Sequence, residues 1–133
     1  MKFKSILLIV NLSFLITACQ MINPIFVDYN GVRMDVAKWI NQQPLLTMQQ
    51  KRSLAQLSKA QQRFYQLEQA DEAQKFEINK QNAIALHCAH LHVSESKIEK
   101  LQQQIFSEES AHYLQMAQQL PKLKLDEKQI QCE

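Results

Sequence analysis

The stretch from Leu86 to Val93 reads LHCAHLHV and places three histidines and a cysteine within six residues. Imidazole nitrogens and thiolates are preferred ligands of zinc and copper, so the stretch is a candidate metal site. His87 and His90, three residues apart on a helix, could share one metal ion. Zinc needs three or four ligands, and on a helix Cys88 and His92 do not converge with this pair. His87 and His90 are therefore an incomplete candidate.

A structural role is the alternative for the same stretch. With Ile84 and Leu91 at the centre of the apolar face of a helix, His87 lies at the edge of the core and His90 lies in solvent. Near a helix C-terminus a protonated imidazole interacts favourably with the helix dipole and can respond to pH. Glu99 is the nearest additional ligand. The sequence favours the structural role over a metal site and indicates no cofactor.

The N-terminal segment predicts the compartment in which Cys88 is found. Two lysines precede an apolar run over residues 6–16, which is typical of a secretory signal and shorter than the roughly 20 residues that a spanning helix needs. The run ends in Ile16-Thr17-Ala18-Cys19, which resembles the lipobox of bacterial lipoproteins. That resemblance implies removal of residues 1–18 and acylation of Cys19. It further implies an anchor in the outer membrane, facing the periplasm.

Two cysteines remain when Cys19 carries lipid, and an even pair in an oxidising compartment predicts a disulfide between Cys88 and Cys132. The bond would close a loop of about 45 residues and contribute roughly 3 to 4 kcal/mol in the chain-entropy model. Antiparallel helices around a turn near Ser94 would leave Leu120 about 28 Å from the level of Cys88. An extended tail can span that distance within one chain. A helical tail would instead favour a disulfide between two chains.

Charge and motifs exclude several classes of function. The chain has 15 basic and 13 acidic residues, and loss of Lys2 and Lys4 leaves the 115-residue mature chain neutral, so nucleic acid is not an expected partner. The sequence contains no glycine-rich phosphate loop, no G-x-S-x-G and no H-E-x-x-H. Glu108 and Glu109 are adjacent and point in different directions on a helix. We predict a protein that is not an enzyme, and no small-molecule ligand is indicated.

The composition of the mature chain predicts an all-α fold. Glutamine, a good helix former, supplies 20 of the 115 residues, whereas Gly31 is the single glycine and hairpin turns usually need several. After a tether over residues 19–30, the domain of residues 31–133 is predicted to be a small antiparallel hairpin or bundle of three or four helices. Short connections between the helices favour that arrangement.

Apolar periodicity and capping residues place these helices. A first helix is expected from Val32 to the residues before Pro44. A second apolar pattern, free of proline and glycine, covers residues 48–92, and the polar stretch over residues 69–74 either bends or splits it. Ser94 and Ser96 are both candidate N-caps of a last helix that ends before Pro121.

The segment Leu46-Thr47-Met48-Gln49-Gln50 predicts a capping box, with Thr47 as N-cap and Gln50 three residues later. The same five residues resemble the LTxxQ signature of the Spy and CpxP family of periplasmic chaperones and stress adaptors. Leu125, Asp126 and Gln129 resemble a degenerate second copy in which aspartate replaces threonine. The resemblance covers most of residues 46–129. It implies a helical protein that binds unfolded or partner proteins without ATP and without catalytic residues.

These observations predict a lipid-anchored envelope protein that acts by protein–protein contact, as a chaperone-like or stress-adaptor module. The alternatives are an accessory or structural lipoprotein of one envelope assembly and a metal-binding protein that uses residues 87–92. Four side chains, Leu54, Leu57, Phe64 and Tyr65, form a stripe that is either a contact surface for a protein partner or ordinary bundle core. The membrane, reached through the lipid, is the other expected partner.

Overall fold

Five α-helices form most of the part of the chain that the computed structural model describes, which is residues 28–29 and 31–133. They are α1 (Met34–Gln42), α2 (Met48–Gln62), α3 (Glu72–His92), α4 (Glu95–Ile105) and α5 (Ala111–Gln118). The all-α bundle predicted from the composition is confirmed. The predicted signal peptide, Cys19 and the tether as far as residue 27 lie outside the described residues.

A short β-ribbon precedes α1. Strand β1 (Asp28–Tyr29) pairs antiparallel with β2 (Val32–Arg33), and Gly31 between them has a φ of +80°, a conformation that favours glycine. The end of the predicted tether thus belongs to the folded domain. Val32 is buried, but it lies in a strand rather than in the helix that we predicted to begin there. Helix α1 ends at Gln42, ahead of Pro44 as expected.

The predicted capping box at the start of α2 is present. The Thr47 hydroxyl oxygen accepts from the Gln50 backbone N–H over 3.2 Å, and the Gln50 side-chain oxygen accepts from the Thr47 N–H over 2.9 Å. Two of the backbone donors that a helix N-terminus leaves unpaired are satisfied in this way. Helix α2 therefore begins at the first turn after Thr47.

A second capping box splits the long apolar pattern into α2 and α3. After α2 a single 3-10 turn covers Arg63–Gln66, and α3 begins behind Asp71. The Asp71 carboxylate accepts from the Gln74 N–H over 2.8 Å, and the Gln74 side chain accepts from the Asp71 N–H over 3.0 Å. The sequence carries this signal as an aspartate followed three residues later by a glutamine, which is a helix start.

The single last helix that we predicted is wrong, because the structure divides it into α4 and α5. Ser94, rather than Ser96, caps α4 by accepting from the Lys97 N–H over 3.4 Å. At the other end the Tyr65 hydroxyl donates to the Ile105 carbonyl over 2.7 Å and satisfies one of the last acceptors of α4. Phe106 is 6% exposed and its ring lies 5.5 Å from that of Tyr65, so the chain turns into the core there.

Helix α2 is central and packs against α1, α3 and α4. Helices α2 and α3 form the main antiparallel pair. Helix α4 packs against α1 and α2, rather than along α3 as the short turn between them led us to expect. Its end lies beside Tyr65, which follows α2, so α4 runs in the same direction as α2. The largest buried side chains of this core are Phe64, Leu54, Leu57, Leu67, Ile78, Ile98, Leu101 and Ile105.

Candidate functional site

The structure joins Cys88 of α3 to Cys132 by a disulfide within one chain, with Cα atoms 5.5 Å apart and 44 residues between the two positions. The tail beyond α5 contains one 3-10 turn, Glu127–Gln129, and is otherwise not helical. The extended tail that an intramolecular bond requires is therefore found.

The tail reaches Cys88 over a shorter path than the sequence predicted. Asn79 of α3 donates its side-chain N–H to the Pro121 carbonyl over 2.7 Å, so the tail begins beside Asn79. Nine residues of helix separate Asn79 from Cys88, which is about 13.5 Å. The expected distance of about 28 Å between Leu120 and the level of Cys88 depended on an unbroken last helix that pairs with α3. The last helix is instead interrupted after Ile105, so that distance does not apply.

The last residues of the tail contact three side chains of α2. Gln56 donates to the Gln131 carbonyl over 2.7 Å and accepts from the Glu133 N–H over 3.2 Å. Lys59 pairs with the Glu133 side-chain carboxylate over 2.9 Å, and Gln49 donates to the Glu133 carbonyl over 2.8 Å. The tail thus lies across the seam between α2 and α3.

The two segments that resemble LTxxQ have different roles. In the first, Leu46 packs against the core and the Gln50 side chain donates to the His92 carbonyl at the end of α3 over 3.0 Å. In the second, Asp126 accepts from the Lys128 N–H over 3.2 Å and caps only a 3-10 turn. Leu125 is half-buried and Gln129 is exposed there. The second segment therefore starts no α-helix.

The structure does not bring the side chains of the histidine stretch together as a set of three metal ligands. His87 and His90 are both exposed, and the closest carboxylate partner of His90 is Glu95, at 3.4 Å, rather than Glu99. No group of three or more histidine, cysteine or acidic side chains in the described part of the chain is arranged to hold a metal ion. Cys88 is fully buried and bonded to Cys132.

The apolar face of α3 differs from the one that we predicted. Ile84 is 6% exposed, but Leu91 is 62% exposed, and Phe76, which continued the predicted pattern, is 56% exposed. The buried positions of α3 are Ile78, Ile84, Ala85, Cys88 and Ala89. The placement of His87 at the edge of the core is wrong, because Cys88 and Ala89 face the core instead.

The predicted stripe on α2 and the turn after it is bundle core. Leu54, Leu57 and Phe64 are at most 1% exposed, so they offer no surface to a partner. Tyr65 is partly buried, and its ring centroid lies 4.9 Å from that of Tyr113 in α5. These contacts attach α5 to the end of α2.

Among the described residues four large apolar side chains are exposed, and three of them lie at one end of the bundle. This two-turn end comprises residues 43–50, from the end of α1 into the first turn of α2, and residues 91–97, from the last two residues of α3 into the first turn of α4. The bonds from Gln50 to the His92 carbonyl and from Lys97 to the Gln43 side chain hold the two turns together. Its exposed apolar residues are Leu45 (100%), Met48 (67%) and Leu91 (62%).

Leu45 is unfavourable for the fold in two respects. It is completely exposed, and its φ of +65° lies in the left-handed region, which a side chain branched like that of leucine rarely adopts. Pro44 and Leu45 occupy the turn between α1 and α2, where glycine or asparagine would suit the second position better. The Pro44-Leu45 pair in the sequence indicates a turn at this position, but we did not predict an exposed leucine there.

Arg33 is the main charged contact that the sequence did not indicate. Its guanidinium pairs with the Asp35 carboxylate at 2.7 Å and donates to the carbonyls of Gln104 and Ile105 at the end of α4. The hydrogen bond from Arg33 lowers the pKa of Asp35, and the same bond raises the pKa of Arg33. This cluster joins the β-ribbon to α4 and is an electrostatic element of the fold.

No protein-family model matches the chain, and comparison with curated proteins and with solved structures also finds no match. In the described part of the chain, no helix combines the length and the apolar character that a membrane crossing requires.

Proposed function

We propose that the protein is a lipid-anchored envelope protein that is not an enzyme and acts by protein–protein contact through the two-turn end. The main evidence for this contact surface is the conformation of Leu45. Its side chain is fully exposed on a turn that disfavours leucine. Strained and exposed apolar positions are characteristic of binding sites, because the fold itself gains nothing from them.

Met48 and Leu91 are two further exposed apolar side chains at the same end of the bundle. Met48 opens α2 and Leu91 precedes the last residue of α3, so both are carried on helices whose ends are fixed by the Gln50 to His92 bond. Such a support keeps the loss of conformational freedom on binding small. A rigid apolar anchor suits a folded partner in an envelope assembly.

The lipid anchor is proposed from the sequence at Ile16 to Cys19, with the outer membrane and the periplasmic side as the location. In the Cys19→Ala variant we expect the protein to lose membrane attachment and the mature chain to lose the mass of its acyl groups. If the mass and the membrane fraction of this variant equal those of the wild type, the anchor is disproved.

The contact surface is tested by covalent crosslinking in intact envelopes followed by affinity purification. A partner recovered with the wild type should be lost with Leu45→Asn. It should be retained with Phe76→Asn, which removes an exposed apolar side chain from the other end of α3. Equal recovery with both variants would exclude the two-turn end as the contact surface.

A chaperone-like role differs from contact with one partner in a measurable way. The LTxxQ-like segments suggest that role, as does apolar exposure at the two-turn end. A chaperone would suppress the aggregation of an unrelated unfolded protein in proportion to its concentration, and Leu45→Asn would weaken that suppression. If the protein suppresses aggregation and no partner is recovered, the two-turn end binds unfolded client proteins rather than one folded partner.

A further inference from the structure

The two cysteines of the disulfide differ in their exposure to solvent. Cys88 is 0% exposed within α3, whereas Cys132 is an exposed residue of the tail. Cys132 also lines an open surface pocket of about 490 Å³ together with Lys80, Gln81 and Ile84. An incoming thiolate can therefore approach the Cys132 sulfur and not the Cys88 sulfur.

The hydrogen bonds and the ion pair of the tail are all on the surface, and its apolar side chains Leu123, Leu125 and Ile130 are only partly buried. The hydrogen bonds from Asn79, Gln56 and Gln49 and the ion pair with Lys59 involve exposed groups. No residue after Leu120 belongs to the hydrophobic core cluster of the described chain. Because exposed ion pairs and hydrogen bonds contribute little, the disulfide is the main link between the tail and the bundle.

We propose that the Cys132 sulfur is a site of thiol–disulfide exchange with a dithiol protein, and that reduction releases residues 121–133 from the seam between α2 and α3 while the bundle stays folded. The proposal is independent of partner contact at the two-turn end. Its partner is defined by chemistry: a pair of thiols, of which one is a reactive thiolate.

The exchange proceeds in two balanced steps. The thiolate of the partner attacks the Cys132 sulfur, the bond between Cys132 and Cys88 breaks, and Cys88 leaves with the electron pair and takes up a proton. The second thiol of the partner then attacks the mixed disulfide, forms the partner's own disulfide and releases Cys132 as a thiolate, which is protonated by solvent. Two electrons pass from the dithiol to this chain.

The surroundings of the two sulfurs fit these steps. Lys80 lines the pocket beside Cys132 and supplies a positive charge that favours the approach of a thiolate, while the Glu133 side chain in the same pocket is paired with Lys59. After the bond breaks, Cys88 remains in α3 as a buried thiol, and a buried thiol behaves as a small apolar side chain. The core therefore does not need to reorganise when the tail leaves.

Release of the tail would change the surface of the seam. Ile84 is 6% exposed and lines the pocket beside Cys132, and Gln56 and Lys59 of α2 are bonded to the tail. Without the tail, these side chains become accessible along one face of the bundle. Oxidation and reduction would thus determine whether this face is covered.

The attacked sulfur is identified by trapping on the full mature chain. Reduced glutathione, a monothiol, lacks the second thiol that resolves the mixed disulfide intramolecularly, so brief exposure followed by an acid quench leaves a mixed disulfide that peptide mass spectrometry can locate. We expect glutathione on Cys132, with Cys88 as a free thiol that reacts with an alkylating reagent only after the protein is unfolded. Glutathione on Cys88 would overturn the proposal.

Release of the tail is measured by hydrogen exchange with and without dithiothreitol. We expect the amides of residues 121–133 to exchange at least about tenfold faster after reduction, while the amides of α3 and the helical circular dichroism are unchanged. Cys132→Ser should show the fast exchange without dithiothreitol and no further change with it. Loss of helical signal in the reduced wild type would show that the disulfide holds the bundle itself, and would refute the release.

Discussion

The side chain of Gln50 binds the start of α2 and the end of α3 at the same time. Its oxygen accepts from the Thr47 N–H over 2.9 Å, and its nitrogen donates to the His92 carbonyl over 3.0 Å. Glutamate would keep the acceptor and lose the donor, so both bonds require an amide at this position. The pattern of threonine followed three residues later by glutamine therefore has a tertiary role here, in addition to its role as a helix start.

Replacement of Gln50 should destabilise the fold more than replacement of its neighbour. We expect Gln50→Ala to lower the free energy of unfolding by about 1 to 2 kcal/mol, because it removes half of the capping box and leaves the His92 carbonyl without this donor. Gln50→Glu should lie between this variant and the wild type. Urea denaturation measures the difference.

Gln49→Ala is the matched control for this prediction. Gln49 precedes Gln50 in α2, but its side chain donates its hydrogen bond to the tail, at the Glu133 carbonyl. A single exposed hydrogen bond should contribute about 0.5 kcal/mol or less. Equal losses for Gln49→Ala and Gln50→Ala would contradict the tertiary role of Gln50.

Local chemistry made parts of the fold predictable from the sequence. The caps at Thr47 and Ser94 depend on side chains that bond backbone within three residues, so a single sequence is sufficient to find them. The disulfide pair followed from the count of cysteines and the expected compartment. The end of α1 followed from Pro44, which acts on the residue before it.

The parts that depend on distant contacts could not be predicted in this way. Helix α4 ends where Tyr65, 40 residues away in sequence, donates to the Ile105 carbonyl. The apolar face of α3 was misplaced because Leu91 and Phe76 have the right spacing, although neither has a neighbouring helix to cover it. Periodicity shows which residues share a face, and it does not show which face another helix covers.

The corrected face of α3 is tested by two substitutions that remove apolar side chains. Ile78 is 1% exposed, and Ile78→Ala should cost about 2 to 5 kcal/mol because it leaves a cavity in the core. Phe76 is 56% exposed, and Phe76→Ala should cost about 1 kcal/mol or less although it removes a larger side chain. Thermal or urea unfolding of the two variants measures which substitution destabilises the protein more. A larger loss of stability in Phe76→Ala than in Ile78→Ala would instead support the apolar face that the sequence predicted.

The pair of Arg33 and Asp35 predicts a weak dependence of stability on pH. Arg33 lowers the pKa of Asp35 in the folded protein below its ordinary value of 3.8, so the contribution is present above that value. It is lost as the pH falls through the lowered pKa. Because the Asp35 side chain is 54% exposed, we expect Asp35→Asn to cost only about 0.5 kcal/mol near neutral pH.

As the pH falls from about 7 to about 3, the difference in the free energy of unfolding between the wild type and Asp35→Asn should become smaller. In an Arg33→Gln background, which lacks the charge responsible for the low pKa, the difference between aspartate and asparagine should be small throughout. A difference that grows toward acidic pH would contradict the sign of the shift.

Leu45 gives the prediction that separates the stability of the fold from its proposed function. Asparagine adopts the left-handed conformation more easily than leucine, and a fully exposed leucine contributes no burial. We therefore expect Leu45→Asn to raise the free energy of unfolding by up to about 1 kcal/mol. Leu46→Asn, one residue later and packed against the core, should instead be destabilising. If Leu45→Asn lowered the free energy of unfolding as much as Leu46→Asn, Leu45 would stabilise the fold. That result would contradict the proposal that this turn is a contact site.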